Sequence, residues 1–330
     1  RGFQSGGLTY AATGQDSSTK LVAERKLEAT TFLRSNMSNY SCPALPGYYA
    51  RRAERLAANW LGVITETVRA VLFIGDPGTG KTFFGNCFAR GRDAAHFFIP
   101  CHPWLSHEEV NQGIDVGQVA VGVQNPDDAY LDGQLLRAVK TSRQRDVVVT
   151  LDEVEKAGSR FYALILDFLQ HGRVPDARHQ MHQADLRRLF VVLTANEEAD
   201  IPDALKRRCF RVNMEFLPPG VESDVLKKTT GAPAPLCRLV VRMANVIREH
   251  GDSKPSLQEL RELLNARRLI ADADDATALL HAFLVKSDKD KAAVQKNIKA
   301  PGAVFWGEVR RTAAKGEMCD NITASPAGVE

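Results

Sequence analysis

Five short apolar runs stand out along the chain before residue 215: Val71 to Ile74, Phe97 to Pro100, Val147 to Leu151, Phe190 to Thr194 and Phe210 to Met214. The first four do not alternate polar with apolar positions, and all five are read as strands covered on both faces. Longer stretches with helical spacing separate them, and this alternation predicts a parallel sheet flanked by helices. Tyr48 to Arg69 sets Leu56, Trp60, Val63 and Ile64 among arginines and glutamates, predicting an amphipathic helix that leads into the first strand. After Leu217, Pro218, Pro219 and Gly220 the strand signal stops. Helical periodicity then runs through Pro235 to Glu249, Ser256 to Ile270 and Ala276 to Val285, followed by a lysine-rich stretch and a polar tail. The expected organisation is a polar N-terminal extension over 1–45, with one helix-like patch near Lys20 to Arg34. A five-stranded parallel α/β domain over 46–218 and a small all-α subdomain with a C-terminal tail over 219–330 complete it.

Composition changes this picture little. With 44% hydrophobic and 25% charged residues the chain falls among ordinary globular proteins. Its 43 basic and 40 acidic residues leave a net +3, too near balance to imply a nucleic acid or an anionic membrane as partner. No apolar run reaches the roughly 18 residues of a membrane span and no signal segment opens the chain, so a cytoplasmic protein without a membrane partner is expected. A segment preceding Arg1 is left open, because the chain does not begin with Met. Cys42, Cys87, Cys101, Cys209, Cys237 and Cys319 lack metal or disulfide spacing and read as free thiols. His96, His102, His107, His171, His179 and His182 likewise fit no ligand pattern.

The chemistry is concentrated in three places. Gly75, Asp76, Pro77, Gly78, Thr79, Gly80, Lys81 and Thr82 form a G-x-x-x-x-G-K-T loop between an apolar strand and a helical stretch, the context this motif requires. Such a match arises by chance about once in 100 chains of this length. The glycines let backbone N–H groups converge on phosphates, and the following helix presents its positive end to the same charge. Lys81 is expected to bridge the β- and γ-phosphates of a nucleoside triphosphate. The Thr82 hydroxyl suits magnesium, a hard cation that prefers oxygen. At the end of the Val147 run, Asp152 and Glu153 fall at the edge where parallel sheets bind ligands, placing Asp152 to hold magnesium and Glu153 to act as general base. Asn196, just past the Phe190 run, is placed to touch both γ-phosphate and lytic water, or to serve as an ordinary turn residue.

Together the P-loop, the Asp152–Glu153 pair, Asn196 and the run Lys206, Arg207, Arg208, Cys209 resemble an AAA+ ATPase over roughly Val71 to Val212. Gly133-Gln134-Leu135, Asp152 to Ala157 and Gly172-Arg173 are similar to Clp-type unfoldases. Ile201 to Leu205 with Arg207-Arg208-Cys209 looks more like the MoxR, McrB and dynein-related group. The resemblance implies a P-loop α/β sheet with a helical lid, ATP and Mg2+ as cofactors, and Arg208, or Arg207 in its place, as a finger reaching a neighbouring subunit's γ-phosphate. It thus implies a homo-oligomeric ring or spiral, a hexamer by analogy. Two departures stand out. Gln258 occupies the place where the family's lid carries a second-sensor arginine, with Arg261, Arg267 and Arg268 nearby. Pro126 stands where a Clp-type pore loop has its aromatic, with Tyr130 and Trp104 out of register.

The function expected from this resemblance is ATP hydrolysis that remodels an unidentified protein substrate or adaptor, in the manner of MoxR-like chaperones. Alternatives are an ATP-dependent assembly switch and a McrB- or clamp-loader-like motor subunit acting on nucleic acid. GTP in place of ATP belongs to the McrB-like alternative.

Overall fold

The computed structural model describes residues 42–63, 67–122, 129–198 and 201–314, all within one unit, Ser41–Glu330. The helix-like patch at Lys20 to Arg34 lies outside these residues, as does Pro126. The strands are β1 (Arg69–Gly75), β2 (Ala95–Pro100), β3 (Gln112–Ile114), β4 (Tyr130–Asp132), β5 (Val147–Asp152), β6 (Arg173–Pro175), β7 (Met181–Gln183), β8 (Leu189–Ala195) and β9 (Phe210–Met214). The helices of the α/β part are α1 (Arg52–Leu61), α2 (Lys81–Gly91), α3 (His107–Val110), α4 (Val116–Val121), α5 (Gln134–Ser142), α6 (Ser159–His171) and α7 (Asp203–Lys206). Those after it are α8 (Pro219–Thr230), α9 (Ala234–His250), α10 (Leu257–Ala266), α11 (Ala273–Phe283), α12 (Asp288–Asn297) and α13 (Pro301–Ala314).

The five apolar runs are the five strands of one parallel sheet, in the order β2-β5-β8-β1-β9. The three central strands are buried almost throughout, which is why their sequences do not alternate. One face packs on α5 and α6 through Leu135, Leu136, Phe161, Ile165 and Phe168. The other packs on α1 and α2 through Leu61, Phe84 and Phe88, joined by Cys42, Leu45 and Tyr48. The end of the expected extension is therefore core: Leu45 is buried beside α2 rather than part of a polar arm.

Two features had no signal in the sequence. Antiparallel pairs β3–β4 and β6–β7 interrupt the alternation, each only three residues long per strand and without an apolar run. They touch one another, since the Ala177 N–H donates to Gln112 Oε1 at 3.1 Å and the Arg178 guanidinium stacks 5.1 Å from the Tyr130 ring. Trp104, just past β2, is 84% exposed and takes no part in the core.

The helices after Pro218 enclose a separate cluster built on Leu236, Val240, Leu260, Leu263, Leu280 and Phe305. The lysine-rich stretch forms α12, whose start is fixed by a capping box between Ser287 and Asp290. The expected tail begins later than its polarity suggests, because α13 buries Phe305 and Val309.

Candidate active site

β1 delivers the glycine-rich loop, and the loop needs its glycines. Gly75, Gly78 and Gly80 all have positive φ, at +157°, +83° and +95°. A Cβ at Gly75 would stand 2.1 Å from the Met214 carbonyl oxygen of β9, and one at Gly78 would stand 2.5 Å from Ser256 Cβ at the start of α10. Thr79 braces the loop by donating to the Asp76 carbonyl at 2.8 Å. Gly80 then caps α2, so Lys81 and Thr82 occupy its first turn.

Lys81 is buried, and burial pushes its ammonium below the ordinary lysine range; Glu155 is the strongest of the acids that oppose this, ahead of Asp152. Its Nζ donates to the carbonyls of Gly75 at 2.6 Å and Asp76 at 2.9 Å, and to Asn196 Oδ1 at 3.0 Å. All three ammonium protons thus have acceptors within the protein.

β5 and β8 supply the rest. Asp152 Oδ1 accepts from the Thr82 hydroxyl at 2.6 Å and from the Thr194 hydroxyl at 2.8 Å. Thr194 in turn accepts from the Glu153 N–H at 2.9 Å. Glu153 turns the chain out of the strand with φ at +53°, an unusual conformation for a residue with a side chain. Its carboxylate receives Lys156 Nζ at 2.5 Å on Oε2 and Asn196 Nδ2 at 3.1 Å on Oε1. These contacts, the Lys156 bond foremost, hold its carboxyl below the usual glutamate range. Asn196, one residue past β8, is fixed again by its N–H, which donates to Glu155 Oε1 at 3.0 Å.

Lys81, Thr82, Asp152, Glu153 and Asn196, widely separated in sequence, thus meet at one sheet edge. The Thr82 hydroxyl and the Asp152 carboxylate make the oxygen pair a magnesium ion needs, and the glycine loop leaves space that any Cβ would fill, so the residues present fit a magnesium nucleotide. Arg207 and Arg208 are not part of this cluster. Arg207 is exposed, and Arg208 donates to the Ala204 carbonyl at 2.8 Å and to Gln170 Oε1 at 2.9 Å. Among the described residues neither has a carboxylate partner.

The residues that resemble Clp-type unfoldases also serve packing. Gly133 lets the start of α5 meet the Val110 carbonyl, which a Cβ would approach to 2.3 Å, and Gly172 closes α6 with φ at +66°. In the lid region Gln258 is exposed and bonds Glu262 at 2.8 Å. Arg267 is buried and spends its guanidinium on the carbonyls of Leu264 and Thr230, while Arg261 and Arg268 are exposed. The basic residue of this region that approaches the phosphate loop is Lys254, whose Nζ stands 3.9 Å from Asp76 Oδ2. Sequence reasoning missed Lys254, Ser256, Thr194 and Glu155 as parts of the site. Only Thr194 left a trace, as a hydroxyl in an otherwise apolar strand.

Residues 70–209 match the AAA domain of the dynein-related subfamily. Among curated proteins, the chain is 25% identical over 190 residues to a Lon protease of Campylobacter concisus, covering 55% of this chain and 22% of that protein. It is 30% identical over 132 residues to the chaperone protein ClpB 1 of a Nostoc species, covering 39% of this chain and 14% of that one. The chain thus spans about a fifth or less of the length of such relatives. Among solved structures, the RuvB Holliday junction branch migration motor of Thermotoga maritima aligns with a TM-score of 0.43 and 15% identity, over 76% of this chain and 69% of that one.

Proposed function

We propose that the chain is an AAA+ ATPase that hydrolyses ATP with magnesium as a homo-oligomeric ring or spiral and remodels a protein partner, a reading supported by the match of residues 70–209 to the dynein-related AAA domain. The observation that carries this reading is the closed chain of contacts from Lys81 through Asn196 to Glu153, set beside the Thr82–Asp152 pair.

In this reading Lys81 exchanges its carbonyl partners for phosphate oxygens. Thr82 and Asp152 hold magnesium, which when bound supplies positive charge to the β- and γ-phosphates. Glu153 accepts the proton of the attacking water on its carboxylate, and Asn196 orients that water and Glu153 together. The contact between Lys81 and Asn196 supports a coupling of phosphate binding to the base, because a phosphate that draws Lys81 away frees the Asn196 amide. Lys254, rather than an arginine on α10, brings the lid's charge to the phosphate loop. Arg208, with no carboxylate partner among the described residues, is the finger offered to a neighbouring subunit, and Arg207 is its alternate. Relatives named as a protease and a chaperone support a protein as the object of the cycle.

The test is hydrolysis of ATP and GTP against protein concentration, with mass read by light scattering, for the unaltered chain, Glu153→Gln and Arg208→Ala. The reading expects cooperative activity, loss of about 10³-fold or more in Arg208→Ala, and a Glu153→Gln protein that binds nucleotide and still assembles. A monomer with constant specific activity, indifferent to Arg208→Ala, overturns the finger and the ring.

A further inference from the structure

We propose that Glu155 is a positioning residue for hydrolysis, its carboxylate fixing the Asn196 peptide and, through Asn196, the mutual placement of Glu153 and Lys81. The proposal rests on the ATP-hydrolysis reading above.

β8 ends at Ala195, so the Asn196 N–H lies beyond the ladder and needs a partner from elsewhere. Glu155 supplies it from a rigid base. The single 3-10 turn Val154–Lys156 is anchored by the fully buried Val154 side chain, and the Val154 carbonyl accepts the Tyr162 hydroxyl at 2.8 Å. The turn thus gives the Glu155 side chain a fixed backbone from which to reach the Asn196 N–H.

A bland capping role leaves one fact unexplained. Only Oε1 is used, and Oε2 is buried without any hydrogen-bond partner. A neutral side chain could satisfy the Asn196 N–H without the cost of an unpartnered buried carboxylate oxygen. Of the acids around Lys81, Glu155 most opposes the lowering of its ammonium by burial. Glu155 thus meets the sensor residue through its backbone and the phosphate-binding lysine through its field. Asn196 joins the same two groups through its side chain, donating to Glu153 and accepting from Lys81. With the peptide released, the Asn196 amide can rotate, and both contacts lose their register.

The test uses the full chain in steady-state ATP hydrolysis, with a fluorescent ATP analogue titrated to report binding and a thermal melt to report folding. Glu155→Ala is expected to lower kcat by about 10- to 100-fold, the range of a misplaced catalytic group, with KM and analogue affinity little changed. Glu155→Gln keeps an acceptor for the Asn196 N–H but not the charge, and is expected to recover part of kcat. The double variant with Asn196→Ala is expected to be no slower than Asn196→Ala alone, because both act through one amide. Should the alanine variant fail to fold, Glu155→Asp replaces it: the charge remains but the oxygen is withdrawn from Asn196, and kcat should fall by a similar factor. The proposal is overturned if Glu155→Ala and Glu155→Asp leave kcat intact, raise KM alone, or lose activity independently of Asn196. An Asn196→Ala protein with undiminished kcat would remove the sensor from the hydrolysis reading and this inference with it. An effect of Asn196→Ala without one of Glu155 isolates the failure to Glu155.

Discussion

The sheet edge and the helical region after Pro218 both bury charge, yet they use it differently. At the edge, Lys81, Asn196 and Glu153 bind mostly one another and nearby carbonyls, in contacts that a phosphate or a water can replace. In the helical region Arg248 and Asp290 are each tied to several fixed partners. Arg248 clasps Glu222 with two bonds of 2.8 Å and also donates through Nε to the Pro255 carbonyl at 2.9 Å. Asp290 accepts from the N–H groups of Asp252 at 2.8 Å and of Lys286 and Ser287 at 3.1 Å. Exchangeable partners mark a site of chemistry, while saturated ones fix where helices begin and end.

This contrast is sharpest under mutation. Glu153→Gln should lower kcat by about 10²- to 10⁴-fold with little loss of stability, as read by single-turnover hydrolysis and a thermal melt. Arg248→Met should do the reverse. Stranding the buried Glu222 is expected to remove about 3–5 kcal/mol in a urea titration, while a variant that still folds keeps its kcat. An Arg248→Met protein that is stable but inactive would erase the distinction between the two regions.

Acid should separate them more gently. Burial alone would raise the Asp290 carboxyl, but hydrogen bonds from Ser253 and the surrounding N–H groups outweigh it and hold the group down to about 2. A carboxyl depressed on folding stabilises fully above its unfolded pKa, near 4, and loses that contribution as pH falls towards 2. The loss is about 2 kcal/mol, and Asp290→Asn should flatten the acid limb of stability measured by denaturant titration.

Two smaller effects belong to the edge. Lys156→Met removes the leading cause of the low Glu153 carboxyl, so the acid limb of the kcat profile should move to higher pH while neutral activity is nearly kept. Lys254→Ala should raise KM for ATP several-fold, about 1 kcal/mol, with kcat unchanged. A fall in kcat alone would make Lys254 a group that acts on the reaction rather than on binding.

The parts legible in the sequence are those where a physical demand is local. Strands covered on both faces must be apolar throughout, so the three central strands could be read for that reason, while the edge strands β2 and β9 are only partly covered and β9 alternates Arg211 and Asn213 with apolar residues. The phosphate loop needs glycines at fixed spacing before a helix, so Gly75 to Thr82 could be read as well. The Lys81–Asn196 and Asn196–Glu153 contacts are long-range, but Glu153 and Asn196 lie just past strand ends and Lys81 closes the glycine-loop motif, and each was placed by that. Glu155 and Lys254 were not, because their roles depend on where a turn and a lid segment arrive in space. The short pairs β3–β4 and β6–β7 carry too few residues for any period to show. In α13 the apolar residues are widely spaced among small and polar ones, so its buried face was masked by composition.

The contact between Gly78 and Ser256 bears on how sequences of this kind can diverge. With a virtual Cβ only 2.5 Å from the serine's, and a φ of +83° that disfavours any side chain, position 78 has nowhere to go. Drift must be absorbed at 256, where glycine, alanine or serine fit and a bulkier residue would press on the phosphate loop. Among homologues that keep this lid arrangement, position 256 should therefore remain small even where the rest of α10 has changed beyond alignment.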